Sequence, residues 1–282
     1  MDKYLTAFLA SAAILFLAGC THTIPTPQER MKTADTLTHS SQLSKYTYKT
    51  EHFNIMSYHK NPSSCEQDNL HLYIEGDGLA WISSQRVSQN PTPINPVALK
   101  LALKDEHSCI VYLSRPCQYV SDQNCTSKYW TSHRFSPEIL GSYNELLNTL
   151  KTYYNVSSFN LYGYSGGGTI ATLLTAQRKD IKQLVTIAGN LDTSYWTLHH
   201  SITPLSGSLN PADFSDSLDN IDQYHLIGGK DEIVNETIFN SYLNRFKDAR
   251  NIHHKIFKEF THQCCWDRDW KEILEEIDQK TE

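Results

Sequence analysis

The chain has 282 residues, 39% of them hydrophobic and 20% charged, with 25 Lys and Arg against 31 Asp and Glu for a net charge of −6. That length accommodates one large α/β domain. The charge balance excludes a basic nucleic-acid-binding surface, and no long run of like charges marks a disordered interaction tail.

Residues 1–20 read apart from the fold. Lys3 supplies a short positive region, and Tyr4 to Ala18 are almost all apolar or small. The stretch is too short for a comfortable membrane span and has the pattern of a signal peptide. It ends in Leu17-Ala18-Gly19-Cys20, which resembles a bacterial lipobox. The resemblance implies that Cys20 is acylated and becomes the new N-terminus. Thr21 stands where an Asp would signal inner-membrane retention, so the resemblance implies a lipid anchor at the periplasmic face of the outer membrane. Residues 21–45, with Pro25, Pro27 and many Thr and Ser, are expected to form a flexible tether, and 46–282 the folded domain.

Export changes how the cysteines are read. Cys65, Cys109, Cys117, Cys125, Cys264 and Cys265 remain beside Cys20, an even number that suggests disulfides in an oxidising compartment. Cys117 with Cys125 is the preferred pair, closing a short loop. Cys65 precedes one predicted strand and Cys109 starts another, so these two can be neighbours. Cys264 and Cys265 are then left to each other or to exchange with the rest. No CxxC pair is present, which argues against a zinc site.

Strand-like and helix-like runs alternate after the tether. Strands are predicted at Phe53–Tyr58, Leu70–Ile74 and Cys109–Leu113, with a helical pattern at Asn95–Leu103. A helix is predicted over Pro137–Tyr154, entered through Ser136-Pro137-Glu138. Strand Ser158–Tyr162, helix Ser165–Arg178 and strand Gln183–Ala188 follow. A longer insert spans 190–220; strand Tyr224–Ile227, helix Glu236–Phe246, strand His253–Phe257 and helix Asp267–Ile277 complete the chain. The alternation predicts a mainly parallel sheet with helices on both faces.

The chemistry centres on Gly163-Tyr164-Ser165-Gly166-Gly167, a Gly-x-Ser-x-Gly between a predicted strand and a predicted helix. That setting puts the Ser on a tight strained turn, with glycines where the turn must close and substrate must approach. The motif lacks the Lys of a P-loop and does not match GxGxxG. A serine hydroxyl needs a base. His262, after the last predicted strand and before the last helix, is selected by position among 13 His. Asp231 follows a strand that ends in Gly228-Gly229, with Glu232 and Asp192 as rival acids. Open α/β sheets carry such residues at the carboxyl ends of their strands.

The order Ser165, Asp231, His262 resembles the α/β-hydrolase superfamily over about residues 50–280. More narrowly, Ile74-Glu75-Gly76-Asp77-Gly78 and Arg115-Pro116-Cys117-Gln118-Tyr119 resemble segments of exported bacterial hydrolase-like lipoproteins, a likeness that implies no substrate. The superfamily implies an oxyanion hole: one donor at the Gly166 N–H, the other on the Gly-rich turn after an early strand, at Asp77 or Gly78. Two segments are candidates for the pocket wall. Arg115–Phe135 brings Tyr129, Trp130, His133 and Arg134, the last read as an internal salt bridge or a partner for a substrate anion. The insert brings Tyr195, Trp196, Leu198, His199, His200, Leu205 and Leu209, as a small cap or a surface loop. The resulting expectation is a serine hydrolase cleaving an ester, less readily a thioester or amide, through an acyl-enzyme. It needs no cofactor and no metal. An acyltransferase would use the same residues, and the rival reading is a non-catalytic envelope binding module on the same fold.

Overall fold

The structure, a computed structural model, describes residues 24–279. Cys20 and the signal-peptide residues lie outside the described residues.

Runs rich in Ile, Val, Leu and Tyr become the central strands because both of their faces are covered. The main sheet contains β1 (Ser44–Lys49), β2 (Asn54–His59), β3 (Asn69–Ile74), β6 (Ile110–Leu113), β7 (Ser158–Tyr164), β8 (Ile181–Ile187), β9 (Asp222–Gly228) and β10 (Ile252–Phe257). Its order is β1-β2-β6-β3-β7-β8-β9-β10. The β1–β2 and β2–β6 pairs are antiparallel, and every later pair is parallel. A separate small hairpin is made by β4 (Trp81–Ser83) and β5 (Arg86–Val87).

Side chains alternate across each strand, so neighbours in sequence enter different cores. Leu72, Ile74, Val111, Leu113 and Leu161 face α3 (Pro137–Tyr154) and α4 (Gly166–Gln177). Tyr73, Ile110, Tyr112, Tyr162 and Val185 face α1 (Pro27–Thr38), α2 (Val97–Ala102) and α7 (Trp270–Asp278). A smaller cluster joins Ile227 and Ile252 to Phe239 and Tyr242 of α6 (Glu236–Leu243). The insert carries α5 (Thr193–His199) and a 3-10 stretch at Pro211–Ser217. The helix predicted at Pro137–Tyr154 has those same bounds, and the other predicted elements fall within a few residues of observed ones.

The flexible tether is corrected. Residues 27–38 form α1, and 44–49 form the edge strand β1. Thr26 caps α1 with a reciprocal bond to Glu29 and with Pro27 in the first turn. Only Arg30, Ala34 and Thr38 are buried on it, so no apolar stripe announces the helix. The edge strand is equally polar, with the sequence Ser-Lys-Tyr-Thr-Tyr-Lys and almost every residue exposed.

Candidate active site

Ser165 stands at the junction of β7 and α4 with φ 51° and ψ −120°, a left-handed conformation that is costly for a non-glycine residue. Its N–H is held by the Ile187 carbonyl at 2.8 Å. A Cβ on Gly163 would lie 2.4 Å from the Gly167 carbonyl oxygen, and one on Gly167 would lie 2.2 Å from that of Ile74. Both outer glycines of the motif are therefore required by backbone packing.

The parallel register brings three loops to this edge of the sheet. His262 Nε2 lies 2.9 Å from Ser165 Oγ, and His262 Nδ1 lies 2.8 Å from Asp231 Oδ2. The other carboxylate oxygen, Oδ1, accepts the N–H groups of Ile233 and Val234, each at 2.8 Å. Asp231 thus organises its own turn with one oxygen and orients the imidazole with the other, and its carboxylate is fully buried. The rival acids are placed elsewhere. Asp192 caps α5 through the Tyr195 N–H and contacts Asn210 and Arg245, and Glu232 is exposed. His253 and His254 lie within β10.

Two supporting residues were not found from sequence. The Tyr164 hydroxyl and Trp266 Nε1–H both donate to the His262 carbonyl, at 3.1 and 3.0 Å, which fixes the backbone that carries the imidazole. Tyr164 is the variable position of the motif, so no pattern marks it.

The turn after β3 carries a second constellation. The Gly76 N–H bonds to Glu75 Oε1 and the Leu79 N–H to the Pro91 carbonyl, whereas neither the Asp77 nor the Gly78 N–H donates a bond among the described residues. The Asp77 carboxylate receives Arg115 Nη1 at 2.9 Å and Arg134 Nη1 at 2.6 Å. Of the two readings of Arg134, the internal salt bridge is the observed one. Burial would raise the Asp77 carboxyl, but Arg134 and Arg115 outweigh it and hold it below the ordinary carboxylate range. Glu75 behaves in the opposite way. Burial pushes it up to about 7, even though the Gly76 and Ala98 amides and the Tyr112 hydroxyl favour its charged form. Gln118 stitches the loop to the turn, donating Nε2–H to the Gly76 carbonyl at 2.9 Å and accepting the Arg115 N–H at 3.0 Å.

Ser165, Gly166, Asp77, Gly78 and His262 all line one cleft of about 960 Å³. From the first candidate wall, Arg134 reaches it, together with Thr131 and Ser132. Tyr129, Trp130 and His133 do not: Trp130 is buried with its Nε1–H on the Ser88 carbonyl, and Tyr129 packs edge-on against Phe53. From the insert, Trp196 and Leu205 line the cleft with Ser201 to Pro204, so this segment covers one side of it. Tyr195, Leu198, His199, His200 and Leu209 lie outside the lining. His200 Nε2 and Trp196 Nε1 both meet the Ile233 carbonyl at 2.8 Å and tie α5 to the turn that Asp231 organises.

The structure pairs Cys65 with Cys109, Cys117 with Cys125, and Cys264 with Cys265. The second pair closes the loop that includes Gln118 and closely follows Arg115, both of which bind the turn after β3. The third lies two residues beyond His262.

No protein-family model matches the chain, and no curated protein is similar to it in sequence. Solved structures are similar in fold. An esterase from Pyrococcus furiosus shares 14% identity over 92% of this chain and 96% of its own, with a TM-score of 0.61. An alpha-beta serine hydrolase homologue from Coxiella burnetii shares 12% over 84% and 96%, with a TM-score of 0.59. Est1E from Butyrivibrio proteoclasticus shares 14% over 84% and 98%, with a TM-score of 0.56. The chain has the α/β-hydrolase fold. Within that fold, Ser165, Asp231 and His262 follow β7, β9 and β10, and the turn after β3 stands beside the Gly163–Gly167 turn.

Proposed function

We propose that the protein is a serine hydrolase acting on carboxylic esters, with Ser165 as nucleophile, His262 as general base and Asp231 as the orienting acid. The observation that carries this reading is the unbroken relay from Asp231 Oδ2 through His262 to Ser165 Oγ, with links of 2.8 and 2.9 Å at the floor of an open cleft.

In this mechanism Ser165 Oγ attacks the ester carbonyl carbon as its proton passes to His262 Nε2. The carbonyl oxygen becomes an oxyanion facing the Gly166 N–H and the N–H of Asp77 or Gly78, amides on the lining of the cleft. Asp231 holds the imidazole in the tautomer with hydrogen on Nδ1 and stabilises the imidazolium. The imidazolium then protonates the departing alkoxide, leaving an acyl-Ser165. Water, deprotonated by His262, attacks the acyl carbon, and the acid leaves as Oγ recovers its proton. An alcohol in place of water would make the same site an acyltransferase.

We also propose that the chain is exported and anchored through acyl groups on Cys20. The apolar stretch that ends in Leu17-Ala18-Gly19-Cys20 supports this, as does the presence of six further cysteines in three adjacent pairs. Incorporation of labelled palmitate that is lost in Cys20→Ser is the expected result.

The catalytic reading is tested with a fluorophosphonate probe, which forms a covalent bond only to an activated serine. Labelling of the wild type and none of Ser165→Ala is expected. A folded, oxidised wild type that fails to label would refute the triad and favour a binding module on the same fold.

A further inference from the structure

Among the described residues, eight large hydrophobic side chains are exposed: Ile24, Tyr46, Trp81, Ile94, Tyr153, Leu198, Ile202 and Ile233. Four of them, Trp81, Ile94, Ile202 and Ile233, are 42 to 45% exposed and line the cleft that holds Ser165. They come from the β4–β5 hairpin, the loop before α2, the insert and the turn after Asp231, so they stand on several sides of its mouth. Leu198, 74% exposed, projects from α5, the helix whose Trp196 faces the same cleft. The ionisable residues in the lining lie deeper. Asp77 and Arg134 are paired, Glu75 is buried and His262 is bonded to Ser165 and Asp231. An apolar rim around a cleft is a surface that water does not favour.

The chain enters the fold beside this rim. Arg30, in the first turn of α1, donates from Nη1 to the carbonyls of Asn90, at 3.3 Å, and Thr92. Thr92 is followed directly by Pro93 and Ile94, which line the cleft. From Arg30 back to the helix cap at Thr26 is about 6 Å along the axis. From Thr26 to Cys20 an extended chain spans at most about 20 Å. A domain of this size is about 45 Å across. An anchor at Cys20 therefore cannot reach most of the surface, whereas Ile94, two residues beyond the Thr92 carbonyl that Arg30 holds, stands near where that reach begins. No helix among the described residues is long and apolar enough to cross a membrane.

We infer that the apolar rim of the cleft docks on the bilayer to which the N-terminus is anchored, so that the mouth of the active site opens onto lipid. The inference rests on the lipid anchor and hydrolase proposed above. The occupant is a lipid surface because the rim pairs an aromatic with branched aliphatic side chains, the composition that partitions into the membrane interface, and because the anchored end of the chain enters the fold beside Thr92 and Ile94.

Trp81 supplies the probe. The full chain is incorporated into phosphatidylethanolamine–phosphatidylglycerol vesicles that contain lipids brominated near the top of the acyl chain, and tryptophan emission is compared with that in unbrominated vesicles. With five Trp in the chain, a quenched fraction of about one tryptophan is expected in the wild type, and its loss in Trp81→Phe. Leu198→Asp should weaken the quenching severalfold, since a charge then faces the bilayer. Fluorophosphonate labelling in the same samples reports separately on the site. Labelling without quenching, or quenching unchanged in Trp81→Phe, would overturn the docking inference alone. Trp81 quenching without labelling would support docking and count against the hydrolase.

Discussion

A Cβ on Gly166 would lie 2.2 Å from Asp77 Oδ1, inside any real contact distance. The carboxylate cannot retreat freely, since Arg115 and Arg134 hold it at 2.9 and 2.6 Å. The smallest residue on the Ser165 turn and an ion-paired side chain on the turn after β3 thus set the spacing between the two proposed oxyanion donors. Gly166→Ala should lower kcat on the order of 10²–10³-fold, the usual cost of a lost donor, with KM for a short ester little changed. Asp77→Ala should act on the fold instead. It leaves two guanidinium groups unpaired, and the unfolding free energy measured in urea should fall by about 3–5 kcal/mol.

Asp231 divides its two oxygens between its own turn and His262, and two substitutions separate those tasks. Asp231→Asn keeps an acceptor for the Ile233 and Val234 amides but sets an amide against Nδ1, favouring the wrong tautomer. Thermal stability should change little while kcat falls about 10⁴-fold. Asp231→Ala should lose both activity and stability. An Asn variant of full activity would remove Asp231 from the mechanism.

Glu75 makes stability depend on pH with a definite sign. Its carboxyl is raised from 4.5 to about 7 in the folded protein. Between those values the unfolded chain has released a proton that the folded chain still holds, so stability falls as pH rises, by up to about 1.4 kcal/mol per pH unit. Glu75→Gln retains the shape and the carbonyl acceptor without the titration. Subtracting its urea-unfolding profile from that of the wild type should expose this slope, and parallel profiles would contradict the assignment.

The cysteine pairs predict a ranking. Cys65 and Cys109 are 44 residues apart, and Cys117 and Cys125 only 8. Loop-closure entropy puts their contributions at about 4 and about 2.5 kcal/mol. Replacing the first pair by Ser should therefore lower Tm more. The second should have the larger effect on activity, because its loop includes Gln118 and follows Arg115, the residues that hold Gly76 and Asp77. Without prior reduction, none of these six cysteines should react with iodoacetamide in the denatured protein.

Much of this molecule is written locally. The central strands are short apolar runs bounded by turns, and α3 has a buried stripe and a proline at its start, so both follow from period and from where a proline is tolerated in a helix, although Ser136 makes no side-chain capping bond. Gly163, Ser165 and Gly167 are legible because a strand, a tight turn and a helix demand those residue types in that order. Asp231 and His262 are legible because each follows a strand that a parallel sheet must end at the same edge. Other features have no local signature. α1 and β1 expose most of their side chains and owe their place to packing and pairing with distant residues. Tyr164 and Trp266 reach the His262 carbonyl only once β7 and the last loop are neighbours. The Asp77–Arg115–Arg134 cluster joins three loops, and its stability depends on burial, which no residue has until the sheet forms. The apolar rim is likewise a tertiary fact: Trp81, Ile94, Ile202 and Ile233 are far apart in sequence, and only the folding of their loops around one cleft makes them a surface.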